Sequence, residues 1–318
     1  MDNFWQKLKK PILALAPMAG VTDSAFRLMC KLGGADVLYT EFVSTDAIVY
    51  ESQKTFKMLK FSKKEKPLVV QIFGKNPEHY FKSVKVLSEL GYDGIDINFG
   101  CPANKVVKSG GGVKLMHNLS LVRELVQAAC EGGQVPISLK VRASIEDKKT
   151  KIKVTALDLV EKVKDLPIAA IMVHGRSYEQ PFDGELDVSA ITQVKRAFQG
   201  IVLANGGIYR PEDAKTLLEQ TGADGVGIAR GAWGKTWLFS QIKDYLKTGK
   251  YEEFSWEKVK KQMLEHAKYA LTNKGEHGLV ELRKQLAWYV KGMPNAASLR
   301  SLLVKTSSIE EIEAVLKN

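Results

Sequence analysis

GIDINFGCP, residues 94–102, decides how the rest of the chain is read. Gly94 to Asn98 is a short apolar run, the pattern of a buried strand. Gly100 and Pro102 break that strand sharply. Cys101 is left in a turn at the strand's C-terminal end. A lone cysteine is ordinarily a small hydrophobe of the core. Cys101 differs because Pro102 stops it from continuing a packed element, and because its neighbours Asn98, Lys105 and Lys108 are polar. Chemistry is therefore expected at this strand end.

Seven more runs of the same kind flank it, so that eight strands are expected at 12–16, 36–40, 68–73, 94–98, 136–142, 168–174, 200–205 and 223–228. Helical patterns alternate with them at 23–33, 44–59, 77–90, 119–130, 152–165, 187–198 and 211–221, with an eighth helix at 232–247. Strand–helix alternation implies parallel pairing through right-handed crossovers. Eight repeats predict an α/β fold, a closed (β/α)8 TIM barrel. An open doubly wound sheet is the alternative, but it calls for GxGxxG after the first strand, and that pattern is missing there. From about residue 250 the strand pattern stops, and helices are expected at 255–273, 277–291, 295–304 and 308–317. The expected division is a barrel over residues 1–248 and a small all-helical C-terminal domain over 249–318.

The composition suits this reading. The chain has 318 residues, 45% hydrophobic and 26% charged, enough apolar material for a large core. It lacks the run of about twenty apolar residues that a membrane span needs. The first apolar stretch is short and ends at Pro17, as a first strand and not a signal peptide. Three unclustered cysteines, Cys30, Cys101 and Cys130, argue against a disulfide framework and against a metal site, and suit a reducing cytoplasm. A net charge of +11 points towards a polyanionic partner.

In a barrel the active site lies at the C-terminal strand ends. After the first strand, Pro17, Met18 and Ala19 let backbone approach a flat ligand. Gln71 is polar inside an apolar run, and Lys140 stands between Leu139 and Val141, where a charge is hard to bury without a partner. His174 precedes Gly175 and Arg176 at the sixth strand end. Asn205-Gly206-Gly207 and Ala229-Arg230-Gly231 close the seventh and eighth, where barrels often hold a phosphate on backbone N–H groups. Arg230 can add paired contacts to that phosphate. A flat phosphorylated cofactor fits this set, and FMN is such a cofactor.

The segment NFGCPANKVV at 98–107 resembles the active-site segment of the tRNA-dihydrouridine synthases. The resemblance extends over nearly the whole chain, through APMAGVTDSAFR, VQIFG, LKVR, VHGR, LANGGI and GADGVGIARGAWG in order. In the tail it includes Leu282-Arg283-Lys284-Gln285 and Ala287-Trp288-Tyr289-Val290-Lys291-Gly292, although Gln285 stands where the family often has His. It implies a flavoenzyme that reduces a uridine of the tRNA D-loop. Bound FMN would be reduced by NADPH, or NADH in its place. Hydride would go to uracil C6 and a proton from Cys101 to C5, with Asn98 and Arg176 among the substrate contacts. It implies a cytoplasmic enzyme, here expected as a monomer.

The tail adds a basic, aromatic stretch. Between Lys250 and Lys305, eleven Lys and Arg face six Glu, interleaved with Trp256, Tyr269, Trp288 and Tyr289. Arg283, Lys284 and Lys291 flank the Trp288-Tyr289 pair and are the individual tRNA candidates. Two other readings compete: a flavin oxidoreductase acting on a small pyrimidine, which would not need this tail, and an RNA-binding barrel without catalysis, which would not need Cys101 and Lys140.

Overall fold

A computed structural model describes residues 3–181 and 183–317, without the side chains of residues 104 and 105. Among the described residues ten strands are present: β1 (Ile12–Leu15), β2 (Val37–Ser44), β3 (Leu68–Phe73), β4 (Gly94–Phe99), β5 (Ile137–Arg142), β6 (Ser144–Glu146), β7 (Lys153–Thr155), β8 (Ile168–His174), β9 (Ile201–Asn205) and β10 (Gly225–Ile228). Eight of them close a parallel barrel in the order β1-β10-β9-β8-β5-β4-β3-β2. The TIM barrel expected from the repeats is the observed architecture.

The barrel's two faces explain its sequence. Side chains alternate across each strand. Ile95, Ile97 and Phe99 of β4, with Leu139 and Val141 of β5, join the large cluster beneath the surrounding helices. Residues of opposite parity, such as Ile12, Ala14, Tyr39, Val69, Met172 and Leu203, form a separate cluster that fills the interior. Trp5, almost fully buried in the same cluster, plugs one end. Each wholly buried Leu or Ile contributes about 1.5–3 kcal/mol relative to exposure.

Three local readings needed correction. β2 runs to Ser44, and the expected helix over 44–59 is two short ones, Thr45–Val49 and Gln53–Met58. The expected helix over 152–165 begins at Ala156, because β6 and β7 first pair as an antiparallel hairpin after β5. Thr155 ends β7 and caps the helix, its hydroxyl accepting from the Asp158 N–H at 3.2 Å. The eighth helix begins at Leu238, not 232. Arg230–Ala232 is a 3-10 turn, and Gly234 adopts φ +65° where its Cα faces the Trp288 backbone.

Beyond Gly249, which ends helix Leu238–Thr248 at φ +73°, come four helices: Trp256–Lys274, Glu276–Tyr289, Ala296–Leu303 and Ile309–Lys317. Their core, including Val259, Met263, Leu282 and Leu286, is continuous with Ala25 and Trp237 of the barrel. Polar ties reinforce that seam: Lys274 reaches Asp23 at 2.8 Å, and Lys284 donates to the Gly20 carbonyl. Among the described residues no helix is long and apolar enough to cross a membrane.

Candidate active site

The strand alternation that fills the barrel with apolar side chains delivers polar ones at its C-terminal end. Gln71, Asn98, Lys140, His174 and Asn205 lie at or within two residues of the C-terminal ends of five strands, and register links them as neighbours: Asn98 opposite Lys140, and His174 opposite Asn205. They line one open cavity, whose space with the solvent at its mouth included is about 920 Å³. Pro17, Met18, Cys101, Arg176, Gly206, Gly207, Ala229 and Arg230 line it as well. Of the cofactor candidates only Ala19 stays outside, exposed on the loop beyond Met18.

The hydrogen bonds hold these groups in fixed positions. Lys140 Nζ donates to Asn205 Oδ1 at 3.0 Å, and Asn205 Nδ2 donates to the Gly227 carbonyl at 2.7 Å. Asn98 Oδ1 accepts from the N–H groups of Gly100 at 3.0 Å and Cys101 at 2.8 Å, which shapes the turn carrying the thiol. Arg142 Nε donates to the Gly100 carbonyl at 3.0 Å and steadies the turn from the other side. Arg176 Nε donates to the Gly184 carbonyl at 2.5 Å.

The electrostatics are one-sided. Among the described residues, Lys140, Arg142, Arg176 and Arg230 line the cavity and no carboxylate does. Burial, then these four cations, hold the His174 imidazole down to about 2, so it is neutral at physiological pH. Burial draws Lys140 down to about 8, with Asp96 pulling the other way. Burial also pushes the Cys101 thiol up against Lys140 and Arg142, so the thiol keeps its proton at neutrality. A cavity so charged favours an anion.

Six residues here carried no role in the sequence reading. Arg142, Phe42, Tyr209 and Trp233 line the cavity. Asp96 and Ser138 lie one inward position below Asn98 and Lys140 on their strands. Polar residues at period two within GIDINF and ISLKVR were the available signal. Tyr209 and Trp233 had none, since they sit in loops.

The tail candidates lie apart from this cavity. Arg283 is half-buried, and its Nε donates to the Thr306 carbonyl at 2.7 Å. Lys284 ties the tail to Gly20. Lys291 is exposed and lines a second groove with Tyr209, Arg230, Trp233 and Trp288, which adjoins the cavity through their shared residues. Trp233 stacks on Trp288 at 4.5 Å and 8°, and its Nε1 donates to Met18 Sδ at 3.2 Å.

The family model for dihydrouridine synthase matches residues 14–318. "tRNA-dihydrouridine synthase B" of Pseudomonas aeruginosa is 36% identical over 291 residues, 91% of this chain and 86% of that protein. The "Probable tRNA-dihydrouridine synthase" of Rickettsia bellii is 36% identical over 293 residues, 91% of this chain and 88% of that protein. Among solved structures, histamine dehydrogenase from Rhizobium sp. 4-9 aligns with a TM-score of 0.57 at 12% identity, over 81% of this chain and 48% of its own. A morphinone reductase mutant in complex with tetrahydroNAD aligns at 0.53 and 12%, over 78% and 90%. These last two likenesses concern the barrel fold alone. The chain is an oxidoreductase that belongs to the dihydrouridine synthase family.

Proposed function

We propose that the chain reduces a D-loop uridine of tRNA to 5,6-dihydrouridine, using bound FMN and NADPH or NADH as reductant. The observation that carries this reading is a cavity whose described lining has four cationic side chains, no carboxylate and a protonated thiol at its edge.

The residues fit FMN. Gly206 and Gly207 have φ +120° and +70°, and a Cβ on Gly206 would come within 2.7 Å of Leu186, a glycine backbone of the kind that can turn its N–H groups towards a phosphate. Arg230 stands beside them, and Lys140 supplies a positive charge where a reduced ring is negative. The flavin, when bound, supplies the hydride for uracil C6. Cys101 gives its proton to C5 on the other side of the double bond, as general acid. Asn98 and Arg176 hold the uracil edge. His174, being neutral, offers a ring nitrogen without adding charge.

The target uridine must leave its stack to reach the cavity. Residues 249–318 are the proposed tRNA-binding domain. Lys291 beside the groove, with the remaining donors of Arg283 and Lys284, supplies phosphate contacts.

The test is Cys101→Ala. Flavin content and flavin reduction by NADPH stay as in the parent protein, while single-turnover reduction of tRNA slows by about 10²–10⁴-fold. An unchanged rate removes the thiol from the reaction, and a colourless parent protein removes the flavin.

A further inference from the structure

Asp96 is wholly buried in β4 and touches neither the cavity nor the turn that bears the thiol. It is nonetheless the base of a continuous chain of hydrogen bonds to that turn. Gln71 Nε2 donates to Asp96 Oδ2 at 2.7 Å, and Ser138 Oγ donates to Asp96 Oδ1 at 2.7 Å. Gln71 Oε1 accepts from Asn98 Nδ2 at 3.0 Å. Asn98 Oδ1 then accepts the Gly100 and Cys101 N–H groups.

The two amides in this chain have only one workable orientation. A carboxylate accepts and does not donate, so Gln71 must turn its NH2 towards Asp96. Its carbonyl then faces Asn98 and requires an NH2 there. Flipping Asn98 would set that NH2 against two backbone N–H donors and leave both unpaired, at about 1–3 kcal/mol for each buried group. The carboxylate at one end and the backbone donors at the other therefore agree. At neutral pH Asp96 is ionised, since burial lifts it only to about 6 against the bonds from Gln71 and Ser138 and the charge of Lys140.

We propose that Asp96 is a positioning residue of the reaction: through Gln71 and Asn98 it fixes the turn that aims the Cys101 thiol, and it keeps the second N–H of the Asn98 amide available to a substrate carbonyl. This rests on the reading of Cys101 as proton donor. Misplacing a reacting group by about 1 Å can cost about 10²-fold in rate.

Asp96→Leu, Asp96→Asn and Ser138→Ala, each as flavin-loaded protein, test the relay. In Asp96→Leu the chain of bonds loses its base, and single-turnover tRNA reduction slows about ten- to a hundredfold. Flavin content and NADPH-driven flavin reduction stay put, and the KM for tRNA, set mainly by phosphate contacts outside the cavity, rises by a few fold at most. Asp96→Asn keeps an acceptor for Gln71 and recovers the rate to within a few fold. Ser138→Ala, which removes one bond and leaves the carboxylate, shows a smaller loss in the same step and decides the matter should Asp96→Leu not fold. Wild-type tRNA reduction in Asp96→Leu, or in Ser138→Ala as the deciding variant, overturns the relay. So do equal losses in Asp96→Asn and Asp96→Leu, which would assign the effect to charge beside Lys140. Cys101→Ala run in parallel separates the two levels. If it reacts normally, thiol and relay fall together; if it is slow while Asp96→Leu is fast, only the relay falls.

Discussion

The barrel mouth and the helical tail are both rich in Lys and Arg, yet their charges do different work. At the mouth, Lys140, Arg142, Arg176 and Arg230 converge on one cavity with no acid among its described lining residues. In the tail, several cations are spent on neighbours. Lys258 pairs with Glu252 at 2.8 Å, Lys260 with Glu257 at 2.6 Å, and Lys274 with both Asp23 and Glu281. Arg283 holds the chain after helix Ala296–Leu303 through the Thr306 carbonyl. A net charge thus describes a field only once partners are known. Exposed pairs such as these contribute about 0–1 kcal/mol apiece.

The comparison can be broken at several points. The largest effect is expected at the mouth: Arg230→Ala weakens flavin retention by about 1.5–3 kcal/mol, roughly ten- to 150-fold, measured as flavin content after dialysis. Next comes pH. Lys140 is charged below about 8 and neutral above it. An anionic ligand is attracted only to the charged form, so flavin affinity falls as pH rises through about 8, by up to about tenfold per unit for one proton. Titration of the flavin-free protein at several pH values reads this, and a flat profile would mean that Lys140 does not face the anion.

Tail variants should be milder. Arg283→Ala removes a charge-assisted bond to backbone and lowers stability by about 1.5–3 kcal/mol at most, seen as a lower melting temperature with flavin content intact. Lys291→Ala leaves stability alone and flattens the log–log salt dependence of tRNA binding by nearly one unit. If Lys291→Ala leaves that slope unchanged while Arg283→Ala flattens it strongly, the contacts lie on the other side of helix Glu276–Tyr289.

The mouth was legible in the sequence because a barrel imposes strict rules. Each strand ends at a definable place, and a polar residue there, such as Gln71 or Asn205, stands out against an apolar run. Asp96 and Ser138 obey the same period of two, but they sit one step deeper, where a polar residue reads as noise until its partners are seen. The hairpin of β6 and β7 was hidden because three-residue strands carry almost no periodic signal. The tail resisted for another reason. Helical spacing identifies Leu282, Leu286 and Tyr289 as core, as they are. It is silent on whether Arg283 faces a nucleic acid or the Thr306 carbonyl, since that depends on where another helix ends.

The stack of Trp233 on Trp288 has an optical consequence. One ring belongs to the barrel and hydrogen-bonds Met18 at the cavity, and the other belongs to the tail. Parallel indoles at 4.5 Å share their excitation, and the proposed flavin, bound in the adjoining cavity, would absorb where indole emits. The protein therefore carries its own donor pair at the seam between barrel and tail. Any movement that parts the two halves, or empties the cavity, registers as a change in its ultraviolet fluorescence without an added label.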